Sequence, residues 1–147
     1  MNNNTAQHIE MSVELYRDPR DDGGDNLLII NRGKHSLSFE KLSGTDEPHS
    51  ITWTLTGNAS DGEFCALDEA DNPGFLWLVR IPNEKIFQNL QSTGRNKLTI
   101  RNVHRDKSSE GLWHYQLFAR FGDKVYGVPL NFGCGAAAEA NPSIKNT

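Results

Sequence analysis

The chain of 147 residues is poor in several features, and each shortage excludes a class of protein. It has only two cysteines, Cys65 and Cys134, with no CxxC pair and no histidine at ligand spacing. A disulfide-stapled scaffold or a zinc site is therefore not expected, and two reduced thiols are the default. It has no basic surplus: 15 Lys and Arg against 19 Asp and Glu leave a formal charge of −4. That balance argues against nucleic acid as a partner, because such surfaces need a net basic face. No apolar run approaches the ~18 residues of a membrane span. Residues 1–7 are polar and Asn-rich, without a basic n-region or an apolar h-region, so a cytoplasmic location is expected. There is no HExxH, GxSxG, P-loop or GxGxxG motif. The five histidines (His8, His35, His49, His104, His114) are scattered. The expectation is a protein that is not an enzyme.

What the chain does have is turn chemistry and alternation. It carries thirteen Gly, six Pro, seven Phe, three Tyr and three Trp, the composition of aromatic strands joined by many turns. Ile9, Met11, Val13 and Leu15 alternate with Glu10, Ser12, Glu14 and Tyr16, the period-two pattern of a half-buried strand. Ile51, Trp53 and Leu55 alternate with Thr52, Thr54 and Thr56, and β-branched threonines suit an exposed strand face. Shorter strand-like runs cover residues 27–30, 36–40, 63–67, 75–81, 98–103, 112–121 and 124–132. Gly57-Asn58, Asn72-Pro73-Gly74 and Gly122-Asp123 carry turn chemistry between them. A single stretch reads as helical: Asn83 can cap residues 84–90, where Ile86 and Leu90 share a face. The pattern predicts an all-β domain over residues 1–133, an antiparallel β-sandwich of eight or nine strands with one short helical turn. No βαβ alternation points to a parallel nucleotide-binding sheet. Residues 134–147, with Ala136-Ala137-Ala138 and Pro142, read as a flexible C-terminal tail.

Two resemblances go further. Leu98-Thr99-Ile100-Arg101-Asn102-Val103 followed by Ser109-Glu110-Gly111-Leu112-Trp113-His114-Tyr115 resembles strands E and F of an immunoglobulin domain, an L-x-I-x-N-V run leading into a D-x-G-x-Y-x-C corner. In that comparison Trp53 resembles the core Trp of strand C, and Phe39 stands near the strand B cysteine. Ser109, Trp113 and Tyr115 replace the corner Asp, the corner Tyr and the second Cys, so no inter-sheet disulfide is implied. Aromatic side chains can fill such a core instead. Asp18-Pro19 after the first strand and Glu47-Pro48 before the Trp53 strand resemble the paired dipeptides of the DP-EP family, small bacterial all-β proteins of this length. That resemblance implies a bacterial, immunoglobulin-like sandwich of uncharacterised function and no particular chemistry.

Three groups of residues are candidates for a site. Asp21, Asp22 and Asp25, on a loop with Gly23 and Gly24, offer the oxygen ligands that calcium takes, though they miss the EF-hand template and equally suit a solvated turn. Arg95, Arg101 and Arg105, with Lys97, His104 and Lys107, form the local basic cluster, able to meet an acidic partner or to serve as a solvated strand face. Trp77 is either core or an exposed platform for a sugar. Phe75, Trp77 and Val79 share one face of their run while Leu76 and Leu78 share the other, so this strand is buried on both faces or sits at a subunit contact. The functional expectation is a protein-interaction or assembly module, with a protein partner or self-association as a homodimer. The alternative is a calcium-dependent or carbohydrate-binding module.

Overall fold

The computed structural model describes residues 5–16, 27–130 and 141–147. Within them the chain is all-β, with eleven strands in two mixed sheets. One sheet has the order β2 (Leu28–Ile30), β1 (His8–Leu15), β4 (His49–Leu55), β8 (Lys97–Asn102) and β7 (Phe87–Gly94). The other has the order β10 (Lys124–Gly127), β9 (Gly111–Phe121), β11 (Ser143–Asn146) and β3 (Ser36–Phe39). Two further strands, β5 (Glu63–Phe64) and β6 (Phe75–Leu78), pair with the opposite edge of the long β9.

Three expectations are corrected. The sheets are not wholly antiparallel: β1 runs parallel to β4, and β3 runs parallel to β11. Period-two alternation records which side chains are buried, not which way a neighbouring strand runs, so parallel pairs leave no mark of their own in it. The helical turn at 84–90 is a single turn leading into strand β7. Asn83 does accept from the Lys85 N–H (2.8 Å), and Ile86 N–H donates to the Asn83 carbonyl (2.9 Å). Phe87 then starts β7 opposite Asn102. Both Ile86 and Phe87 are buried, and their burial outweighs a helical period carried by two side chains. Finally, residues 141–147 are not a loose tail. Strand β11 lies between β9 and β3, with Ile144 fully buried. Residues 134–140 of the expected tail lie outside the described residues.

The core lies between the sheets. Met11, Val13, Ile51, Trp53, Leu55, Leu98 and Ile100 from the first sheet meet Phe75, Trp113, Tyr115, Leu117 and Ile144 from the second. Trp53 sits at its centre. Its ring packs on Phe75 and Tyr115 at centroid distances of 5.4 and 5.2 Å, and its indole N–H donates to the Tyr115 hydroxyl at 3.1 Å.

Candidate interaction surface

The structure scatters the basic cluster. Arg95 faces Glu63 at 3.5 Å, in an exposed pair. Arg105 reaches back across the sequence and donates to the Thr45 and Asp46 carbonyls, so it pins a loop. Arg101 is exposed on the outward face of β8, while His104 is fully buried. Three arginines near one another in sequence therefore end in three separate places. Asp21, Asp22 and Asp25 lie outside the described residues, and among the described residues no group of His, Cys, Asp and Glu is arranged to hold a metal ion. Trp77 is half-buried and turned inward, edge-on to Phe75 (4.8 Å, 82°) and tilted on Phe87 (4.8 Å, 49°). It packs on the core rather than standing out as a platform.

One end of the molecule carries a buried polar layer. His49 accepts from the Gln7 N–H at Nδ1 (2.9 Å) and donates from Nε2 to the Glu40 carbonyl (2.9 Å). Those partners require the neutral ring with its proton on Nε2. Glu47, two residues before His49, lies instead 3.5 Å from His8. Asn102 and Asn146 exchange amide hydrogen bonds (2.8 and 3.2 Å), and Asn146 also donates to the Ser109 carbonyl. His104 joins them, 2.7 Å from Ser109 Oγ at Nδ1 and 2.7 Å from the Thr147 carbonyl at Nε2. These polar groups bind one another across the two sheets, and what they do is hold that end of the sandwich in one arrangement.

Burial holds the His49 pKa below its ordinary 6.5, the backbone bond to Glu40 opposing it only in part. The sign follows. The unfolded chain takes up the proton first, so this contribution is intact above about pH 6.5 and is lost as the pH falls through that value toward the folded pKa. Urea midpoints measured between about pH 7 and 5 should fall, and His49→Gln should flatten the fall. An unchanged slope in the variant would remove His49 as its source.

The opposite situation holds along β6, an edge strand among the described residues. Gly74 C=O accepts from Phe118 N–H, so the positions bonded to β9 are Gly74, Leu76 and Leu78. Alternation then directs the N–H and C=O of Phe75 and Trp77 away from β9. Among the described residues no strand pairs with that side of β6. The run ends at Val79, whose φ of +67° is rare for a β-branched residue and strained. Arg80 N–H closes a three-residue turn on the Leu78 carbonyl at 2.7 Å, a γ-turn of the uncommon positive-φ hand. Arg80 then lies over the Trp113 ring (5.0 Å) and donates to the Leu112 carbonyl (3.0 Å). Gly111 permits this: its φ is +153°, and a Cβ there would meet Arg80 Nη2 at 2.8 Å and the Trp113 ring at 2.9 Å.

The result is an apolar border. Leu76 (40%), Val79 (94%), Ile81 (81%) and Leu112 (41%) are exposed around β6 and the turn that follows it. Apart from Tyr16 they are the exposed large hydrophobic residues among those described, so the surface concentrates its apolar exposure at one edge. The sequence pattern marked 75–79 as apolar on both faces, but not Ile81, Leu112 or Arg80. The signal for Leu112 was present, since it falls out of phase with Trp113 and Tyr115 and so faces outward. Nothing local announces that Arg80 reaches β9. Comparison of the chain with protein-family models, with curated proteins and with solved structures returns no match.

Proposed function

We propose that the chain is a non-enzymatic interaction or assembly module of immunoglobulin-like type, bacterial and cytoplasmic, that engages a protein through the β6 border. The observation that carries this reading is a strand edge whose outward backbone groups meet no strand among the described residues, set among exposed Leu76, Val79 and Ile81. Natural sheet edges are normally blunted by charge, proline or bulges. The β7 edge follows that rule, with Gln88, Asn89, Gln91, Ser92 and Thr93 along it and two register shifts. The β6 edge has no charged side chain from residue 72 to 79.

The immunoglobulin-like part rests on the partition of strands. The order β1-β4-β8-β7 against β6-β9-β10 parallels the A-B-E-D and C-F-G sheets of that architecture. On this alignment the Trp53 strand takes the place of B, since it pairs directly with the E-like β8, and Trp77 on β6 takes the place of the strand C tryptophan. Trp53 and Tyr115 then face each other where a disulfide would bridge the sheets. The parallel pairing of β1 with β4 departs from the immunoglobulin pattern.

The test is a photo-activated cross-linking amino acid placed at Leu76, at Ile81 and, as a control, at Thr52 on the outward face of β4. Discrete adducts in the source cell are expected from positions 76 and 81 and not from 52. Silence at 76 and 81, or equal labelling at 52, would sink the reading.

A further inference from the structure

The β6 edge is bracketed symmetrically. On one side Pro73 has no N–H to offer a ladder, and on the other Val79 leaves the extended conformation. Both lie three positions from Leu76, so the usable edge runs from 74 to 78 and is centred on Leu76. Resting on the reading of β6 as an interaction edge, we propose that its occupant is β6 of a second copy of this chain, paired antiparallel about a two-fold axis at Leu76.

The register follows from which backbone groups face outward. With Leu76 opposite its own copy, Phe75 of each chain lies opposite Trp77 of the other. Both residues present N–H and C=O to the edge, so the pair of copies forms four hydrogen bonds and uses every outward group of the segment. Moving the centre to Trp77 brings Val79 into the ladder with a positive φ it cannot pair through. Moving it to Phe75 sets Trp77 opposite Pro73, which lacks a donor. The Leu76-centred register alone avoids both faults.

Charge agrees with self-pairing. Residues 72–79 place no like charges opposite each other, which in an antiparallel pair would oppose association. Leu76, two-fifths exposed, covers its counterpart at a non-hydrogen-bonded position, where side chains approach most closely. Five residues of edge make a small contact, so association is expected to be concentration-dependent rather than permanent.

Sedimentation velocity of the full chain from roughly 10 µM to roughly 1 mM, the range of small interfaces, should show monomer giving way to dimer. Leu76→Lys, which sets two ammonium groups against each other on the axis, should shift the midpoint at least tenfold upward with an unchanged melting temperature. A second variant guards against loss of folding. Leu76→Cys in a Cys134→Ser background should form a covalent dimer under copper–phenanthroline, because Cα atoms about 4.5 Å apart at such a position suit a disulfide. Thr52→Cys in the same background should not. Monomer throughout the range, with no bridging at 76, overturns self-pairing. If position 76 then cross-links to a different protein, the edge still serves as an interaction site and only the occupant is wrong; if it cross-links to nothing, both readings fall.

Discussion

Trp53→Ala is expected to remove about 3–5 kcal/mol of stability, a large share of the roughly 5–15 kcal/mol that holds a domain folded. The side chain is fully buried and packed on Phe75 and Tyr115. Thermal melting by near-ultraviolet circular dichroism should show a broadened or absent transition. The hydrogen bond beneath this packing is separable. Tyr115→Phe keeps the ring stack on Phe75, at 5.4 Å and 7°, but leaves the indole N–H buried without its acceptor. That variant should lose about 1–3 kcal/mol. Trp53→Phe/Tyr115→Phe should lose less than the sum of the two single changes, because the second substitution removes the partner that the first stranded. Additive losses would mean that the 3.1 Å contact carries no energy. Burial pushes the Tyr115 phenol far above its usual range, so it stays neutral and this coupling should not vary with pH.

Ending the chain after Pro142 is expected to be as damaging, although it deletes only five residues. The deletion removes β11 from between β9 and β3 and strips the ladder bonds from one side of each. It takes away Ile144, which is fully buried against the core, and Asn146, which satisfies Asn102 and the Ser109 carbonyl. It also takes away the Thr147 carbonyl that receives the His104 Nε2–H. Each stranded buried polar group costs about 1–3 kcal/mol, and the lost apolar burial adds to that. The melting temperature should drop by about 10 °C or more. A truncated chain that melted like the parent would show that residues 143–147 do not hold the two strands together.

Alternation around Met11, Ile51, Trp53, Leu98 and Tyr115 placed the core correctly, because a period of two is a direct consequence of the pleat. The same logic could not find β11. Ser143, Lys145 and Asn146 are polar, so Ile144 is the strand's lone apolar side chain, and hydrogen bonds to Ser36, Asn102 and Ser109 hold the rest in place. It could not find the Arg80 clamp either, since that depends on Gly111, far along the chain, adopting φ of +153°. The cluster of Arg95, Arg101 and Arg105 failed for the converse reason. Nearness in the chain does not set where a side chain ends once a strand gives way to loops at either end, and Arg105 turned to backbone carbonyls some sixty positions away.

By itself, then, the sequence determined the all-β class, the inward-facing aromatic residues and the unusual apolarity of residues 75–79, all properties of local periodicity. The tertiary structure alone decided that no described strand pairs with the outer side of β6, that Trp77 turns inward while Leu76 turns out, and that a C-terminal strand closes against β9 and β3. Those outcomes depend on which strands meet, and strand partners are chosen by contacts between residues far apart in the chain.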